Sequence, residues 1–299
     1  MTLSLADLKK SRSLDFGNIT KALAKTTDAG YSKDEDEYFK PTRDKAGNGS
    51  AVIRFLNTAS GDELPWVQIY SHAFQGPTGR WYIENCLSTI GQDDPVNVAN
   101  KALWATGNEK DKETVRKQKR KLQYVANILV ISDPGNRENE GKVFKFKFGK
   151  KIWEKILEKL EPTFAEDKPI NVFDYWEGAN FKLRIRQVEG YPNYDQSIFD
   201  APSAIAETDE EILEIARQQK PLRDLIDPKN FKSYEELEKK FKGVMQGGGV
   251  APAGDTEDAP PVREAKPVAE KAAKPAKVVK EASAEDEEDI EDYFKNLAT

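Results

Sequence analysis

Tyr124-Val125-Ala126-Asn127-Ile128-Leu129-Val130-Ile131-Ser132, then Lys142-Val143-Phe144-Lys145-Phe146-Lys147-Phe148-Gly149-Lys150-Lys151, decide how this chain folds. The first run is short and apolar on both faces, which is the pattern of a central strand with cover on each side. Asp133-Pro134-Gly135-Asn136 ends it with turn residues. In the second run, side chains two apart share a face, so Phe144, Phe146 and Phe148 point one way and Lys145 and Lys147 the other. A regular strand cannot turn both sets toward one ligand. Either the phenylalanines are core with the lysines outward, or they stack on a partner's rings with the lysines at the edge. From Gly149 the period becomes helical: Ile152, Ile156, Leu157 and Leu160 form a stripe, while Lys150, Lys151, Glu154, Lys155 and Glu158 keep the other side wet.

Upstream, Ala51 to Leu56, Trp66 to Phe74 and Arg80 to Cys86 are short β-branched and aromatic runs separated by Gly, Pro, Asn and Asp clusters. Their rhythm predicts a small antiparallel barrel or sandwich. Gln92 to Lys112 is polar and reads as an irregular subdomain or long loop. Downstream, Ala179 to Val188 alternates clearly, with Phe181, Leu183 and Ile185 on one face and Lys182, Arg184 and Arg186 on the other. Tyr191 and Tyr194 follow in a polar loop, where rings are available for stacking. Thr208 with Glu211, and Ser233 with Glu236, match capping boxes and predict two short helices.

The 299 residues carry a net charge of -6, but the charge is unevenly spread. Residues 247–299 hold 13 acidic against 7 basic side chains, so this segment accounts for the whole deficit. Residues 101–155 hold 15 basic against 7 acidic side chains. Cations and flat rings concentrated together suit a flexible polyanion that carries bases. The segment from Gly247 is rich in Ala, Pro, Lys and Glu and too poor in apolar side chains to offset the entropy of ordering, so it reads as a flexible tether. Its tip embeds Ile290, Tyr293, Phe294 and Leu297 in dense acid.

Common acid–base chemistry is poorly supplied. There is one histidine, His72, and neither a phosphate-cradling Gly-rich loop nor a nucleophile elbow. A two-carboxylate metal nuclease is the least unfavourable catalytic reading. His72 and the single cysteine, Cys86, are two good zinc ligands where a tetrahedral site needs four. One cysteine excludes an intramolecular disulfide framework, and no apolar stretch is long enough to span a membrane. The expectation is a soluble intracellular protein that is not secreted and has no membrane partner.

Several strings are specific enough to indicate a family: Ala46-Gly-Asn-Gly-Ser-Ala-Val-Ile-Arg-Phe-Leu56, Tyr124-Val-Ala-Asn-Ile-Leu-Val-Ile131, Glu138-Asn-Glu-Gly-Lys-Val-Phe-Lys145, Phe148-Gly-Lys-Lys-Ile-Trp153 and Trp176-Glu-Gly-Ala-Asn-Phe181. They closely resemble the single-stranded DNA-binding proteins of T4-like bacteriophages, collinearly over residues 1–246, with the acidic tail similar in composition only. The resemblance implies a mainly β protein with some α: an OB-fold core, a five-stranded Greek-key barrel, with an inserted irregular subdomain, short flanking helices and a disordered acidic C-terminal tail. It divides the chain into a basic arm at 1–20, a DNA-binding core at 21–246 and a tail at 247–299 for protein–protein interaction. It also implies sequence-independent, cooperative binding of single strands in viral replication, recombination and repair, in the cytoplasm of an infected bacterium.

By position, Lys9, Lys10, Ser11, Arg12 and Ser13 resemble the family's basic-and-hydroxyl motif for head-to-tail self-association along DNA. Lys119, Arg120 and Lys121 match its core basic run, although Leu122 and Gln123 stand where hydroxyl residues follow in the family. Tyr82, Tyr124, Phe146, Tyr191 and Tyr194 fall at aromatic positions of the family. Together with Lys119, Arg120, Lys121, Lys145, Lys147, Lys182, Arg184 and Arg186 they are the expected DNA-binding residues. The family's zinc site has one His and three Cys. Here His72 and Cys86 remain, and Asp94 and Asn97 replace the other two, so no tight structural zinc is expected. The tethered acid is expected to compete with DNA for the cationic cleft and to recruit replication and recombination proteins. Two other readings compete with this one: an acidic-tailed replication adaptor without strong DNA binding of its own, and the metal nuclease.

Overall fold

A computed structural model of the chain describes residues 37–188 and 190–246. In chain order its elements are β1 (Gly49–Phe55), β2 (Trp66–Gln75), β3 (Trp81–Asn85), α1 (Pro95–Ala105), α2 (Glu109–Gln118), β4 (Lys121–Ser132), β5 (Val143–Phe148), α3 (Lys150–Leu160), β6 (Ala179–Val188), β7 (Tyr191–Asn193), β8 (Ile198–Pro202), α4 (Asp209–Arg217) and α5 (Tyr234–Gln246). The described residues are mainly β, with a curled antiparallel sheet and five α-helices. They divide into two compact units. The first comprises the described parts of residues 1–71, 85–92 and 121–232, and the second those of residues 72–84, 93–120 and 233–299.

Strand β4 organises the first unit. Along one edge it pairs first with β2, from Ser71↔Lys121 to Trp66↔Ala126, and then with β1, from Phe55↔Ile128 to Val52↔Ser132. Along the other edge it pairs with β5, from Tyr124↔Phe148 to Leu129↔Val143. Two partners taken in succession on one edge force the sheet to bend, and a register shift between Val52 and Ile53 adds local twist. The far edge of β1 pairs with β6, which also carries β7 and β8.

The double-sided apolar character of β4 has a direct cause. Tyr124, Ala126, Ile128 and Val130 enter the main core, with Phe146 and Phe148 of β5. On the other face, Val125 packs with Ile69, Leu222 and Leu225, and Leu129 packs with Leu56, Val143, Tyr175 and Ile212. Asn127 shares that second face, and its amide exchanges hydrogen bonds with the backbone of Lys220 at 2.8 and 3.1 Å, so no polar group is stranded. Phe55 is wholly buried at the centre of the main core, with ring centroids 5.5 Å from Phe148, 5.8 Å from Phe173 and Phe181, 6.2 Å from Phe199 and 6.5 Å from Phe146. Helix α3 closes the core with Ile152, Trp153, Ile156 and Leu160. The Trp153 ring stacks on Tyr124 at 4.4 Å.

The quoted strings acquire structural reasons. Gly47 has φ +84°, and Asp44 Oδ1 accepts from the amides of Ala46 and Asn48, so Ala46-Gly47-Asn48-Gly49 is a tight turn leading into β1. Arg54 is fully buried, and its guanidinium donates to the carbonyls of Asp174 and Ser203 at 2.9 and 2.7 Å and to Asn180 Oδ1 at 3.3 Å. Burial pulls its pKa down to about 10, against a smaller opposing pull from Asp174. A Cβ on Gly178 would lie 2.4 Å from the Asp174 carbonyl oxygen, so only glycine fits beside this guanidinium.

In the second unit the core is Phe74, Tyr82, Val96 and Val244, with Phe241 and Met245 against it. Helix α5 therefore docks beside the β2–β3 hairpin, where Lys240 Nζ meets Glu84 at 2.5 Å. The region expected to be irregular, Gln92 to Lys112, instead holds α1 and the start of α2. Asp94 caps α1 with Pro95 at its first position, and Asn108 caps α2. Both capping boxes form as expected, at Thr208 with Glu211 and at Ser233 with Glu236. The loop after β6 contains the short strands β7 and β8, which the sequence pattern did not predict. The basic arm Lys9, Lys10, Ser11, Arg12 and Ser13 and the tail from Gly247 lie outside the described residues.

Phe55→Ala removes a ring that five others surround, and the expected loss is about 3–5 kcal/mol of stability in urea unfolding, with a visible drop in folding cooperativity.

Candidate nucleic-acid interface

Strand β6 presents a cationic outer face. Its inward residues Phe181, Leu183 and Ile185 are buried, while Lys182 is half-buried and Arg184 and Arg186 are exposed. Lys182 Nζ contacts Asp200 at 2.5 Å across the β6–β8 pair. The next turn is fixed to this strand by Ser197, a buried hydroxyl that accepts from the Arg184 amide at 2.9 Å and donates to the Arg184 carbonyl at 3.1 Å. That anchor holds Tyr191, Tyr194 and Asp195 beside the cationic face. Tyr191 is 77% exposed, so its ring is open to stacking, whereas Tyr194 is partly packed against the main core.

Helix α3 adds cations to the same place. Lys155 Nζ donates to the Asp195 carbonyl at 3.1 Å, Lys151 Nζ lies 3.7 Å from Asp195 Oδ1, and Arg186 Nη2 lies 3.8 Å from Oδ2. Sequence reasoning placed Lys151 and Lys155 on the wet side of α3 but did not connect them to β6. Their spacing of four residues, which puts both on one helix face, was the available signal.

The other expected DNA-binding residues are placed differently. Tyr82 is fully buried and stacks on Phe74 at 5.1 Å in the second unit. Tyr124 and Phe146 lie inside the first unit's core, each about as buried as its neighbour Phe148. In this structure none of these three rings presents a face to a base, so the alternative left open for β5 resolves toward phenylalanines inward. Burial, then Tyr70 and Glu154, push the Tyr124 hydroxyl pKa up. Lys145 is 5% exposed and its ammonium is 2.6 Å from Glu37 Oε2, a contact that also lowers the Glu37 pKa. Lys147 is half-buried, and both ammonium groups sit over the Tyr38 ring, at 5.1 and 5.2 Å. Lys121 is exposed at the start of β4 in the first unit, and Lys119 and Arg120 are half-buried at the end of a segment of the second.

The zinc question turns on donor chemistry. In the second unit, His72 Nδ1 lies 2.8 Å from the Gln118 carbonyl, which can only accept, so that nitrogen carries the proton. His72 Nε2 faces Asp94 Oδ1 at 3.4 Å, with both side chains wholly buried. The same Oδ1 already accepts from the amides of Val96 at 2.9 Å and Asn97 at 3.4 Å as the cap of α1. Asn97 supplies only a neutral amide, and the Sγ of Cys86 is 3.0 Å from Ser88 Oγ. Asn97's neutral amide and the use of Asp94 Oδ1 as a helix cap make this donor set weaker than one His and three Cys.

Residues 47–245 match the family described as gp32 DNA binding protein like. The chain belongs to that family. It is 42% identical over 240 residues to the "Single-stranded DNA-binding protein" of Enterobacteria phage T4, covering 77% of this chain and 78% of the relative. The protein of the same name from Enterobacteria phage T2 is 41% identical over 236 residues, again covering 77% and 78%. A shorter match, 39% over 84 residues, joins 27% of this chain to 74% of the Escherichia phage SV14 protein of that name. The family is named for DNA binding rather than for a reaction. It also accounts for the resemblance carried by the sequence strings, and its span includes every strand and helix described above, short only of the end of α5.

Burial, and then the nearby Lys40, pull the Lys147 pKa down to about 8 from 10.5. Below pH 8 this ammonium is charged in the folded and unfolded chain alike and imposes its full penalty on folding. Between that pH and 10.5 the folded chain has released the proton and the unfolded chain has not, so stability rises with pH across this window. Relative to Lys147→Gln, the natural chain should therefore gain stability from about pH 8 to pH 10, read as unfolding midpoints in urea; a flat difference would contradict the assignment.

Proposed function

We propose that this protein binds single-stranded DNA without sequence preference and organises it during viral replication, recombination and repair. The observation that carries the reading is the outward face of β6, where Lys182, Arg184 and Arg186 lie beside the exposed ring of Tyr191. Cations on that face meet backbone phosphates, and a ring at its end stacks on a base whatever its identity. The relatives' printed names support the same partner. The curled sheet, in which β4 serves β1, β2 and β5, supports an OB-fold core of five strands in Greek-key order. The reading is non-catalytic: the phosphates are held, and none of the described residues of the interface is arranged to cleave them.

The remaining parts of the chain take their roles from the sequence. Residues 1–20, with Lys9, Lys10, Ser11, Arg12 and Ser13, associate head to tail with the neighbouring copy along DNA. Residues 21–246 are the binding core. Residues 247–299 compete with DNA for the cations and recruit replication and recombination proteins, all in the cytoplasm of the infected bacterium. The second unit is held without structural zinc, by the His72–Gln118 hydrogen bond, the Asp94 cap of α1 and its apolar core.

Fluorescence titration with oligo(dT) at several salt concentrations tests this function. Tight binding that weakens steeply with salt is expected, and Tyr191→Ala should weaken it about tenfold or more with stability unchanged. Truncation at residue 247 should tighten binding, most of all at low salt. Absent binding at low salt would leave the adaptor reading, and shortening of the DNA in magnesium would leave the nuclease. Elemental analysis of the purified chain should find far less than one zinc per molecule, with the melting temperature unmoved by chelator.

A further inference from the structure

Asp195 is the residue at which three cations from two elements meet, two of them at its carboxylate. Lys151 Nζ approaches one of its oxygens at 3.7 Å and Arg186 Nη2 the other at 3.8 Å, while Lys155 reaches only the backbone carbonyl of the same residue, at 3.1 Å. Both charged contacts are longer than a good hydrogen bond, unlike the 2.5 Å contact of Lys182 with Asp200 on the same sheet. The participants are open to solvent, with side-chain exposures of 68% for Lys151, 48% for Arg186 and 45% for Asp195. Loose, exposed pairs add little to folding stability, so stability does not explain this convergence.

Ligand chemistry explains it better. A carboxylate has two oxygens and engages two of the three cations. A backbone phosphodiester likewise presents one negative charge on two oxygens, so it fits the same seat between Lys151 and Arg186. The hairpin that carries Asp195 also carries Tyr191, so a strand with a phosphate here has a stacking ring on the same short segment. The Asp195 amide donates to Asn193 Oδ1 at 2.9 Å, and Ser197, two residues on, ties the turn to the Arg184 backbone of β6. The side chain alone then has to swing aside.

We infer that Asp195 is a built-in phosphate surrogate: its carboxylate occupies the seat of one backbone phosphate, keeps Lys151 and Arg186 gathered there, and is displaced when single-stranded DNA binds. This rests on the proposed function and adds a residue-level control to it. The seated acid lowers affinity at low salt and makes release easier.

The test is oligo(dT) affinity of the full chain carrying Asp195→Asn, across salt concentrations, beside Glu158→Gln. The second substitution makes the same change in net charge on the exposed side of α3 without touching the three cations. Asp195→Asn should bind about three- to fivefold tighter at low salt. Its dependence of log affinity on log salt should steepen by about 0.7 for each further phosphate that the cations neutralise. The tightening should disappear when Lys151→Gln is added. Asp195→Ser should behave like the asparagine variant, and equal melting temperatures will show that each variant is folded. Affinity that is unchanged, weakened, or raised no more than in Glu158→Gln overturns the inference. Failure of the natural chain to bind oligo(dT) overturns the parent function instead.

Discussion

One strand with no unused surface sets the terms for the first unit. β4 pairs along both edges, with β2 and β1 in succession on one and β5 on the other, and it buries side chains on both faces. A strand fully engaged in this way cannot slip register. Moving it by one residue would exchange Tyr124, Ala126, Ile128 and Val130 with Val125, Asn127 and Leu129, and would push the Asn127 amide into the main core without its Lys220 partners. The placement of β5, β1 and therefore β6 follows from that fixed register. The cationic face on β6 is thus held by a strand two places away in the sheet.

Cations in this protein divide by what lies within reach. Arg54 is interior, its Nη2 bonded to two carbonyls, and it stitches the segment around Gly178 to β1. Lys145 is interior and paired with the partly exposed Glu37, so a partner must first displace that carboxylate. On β6 and α3 the cations remain in water, where their contacts with Asp195 and Asp200 are exchangeable with other anions. Local geometry, and not the net charge of -6, determines where a polyanion can bind.

The second unit shows a different economy. A histidine and an aspartate face one another in the interior, and the aspartate also caps α1. The aspartate's oxygen accepts from the α1 amides, and the histidine's Nδ1 bonds to the Gln118 carbonyl. Tyr82 and Phe74 stack in the same unit, so a ring that sequence position assigned to DNA serves the core.

Spacing along the chain was enough for the strand and helix periods, the two-sided burial of β4, the inward phenylalanines as one of two alternatives for β5, the cationic alternation of β6 and both capping boxes, and longer strings were enough for the family. These are local patterns, in which side-chain direction follows from position within a single element. Helices α1 and α2 escaped that reading because their apolar stripes are weak, although Asp94-Pro95 and Asn108 were readable caps. The interior position of Tyr124 and Phe146 escaped it too, since aromatic rings in cores and in binding clefts have the same composition. Three-dimensional packing alone brings Lys151 and Lys155 of α3 to Arg186 of β6, around Asp195. The two lysines stand far from Arg186 and Asp195 in the chain, and their meeting depends on how a helix packs on a bent sheet, which no periodicity encodes.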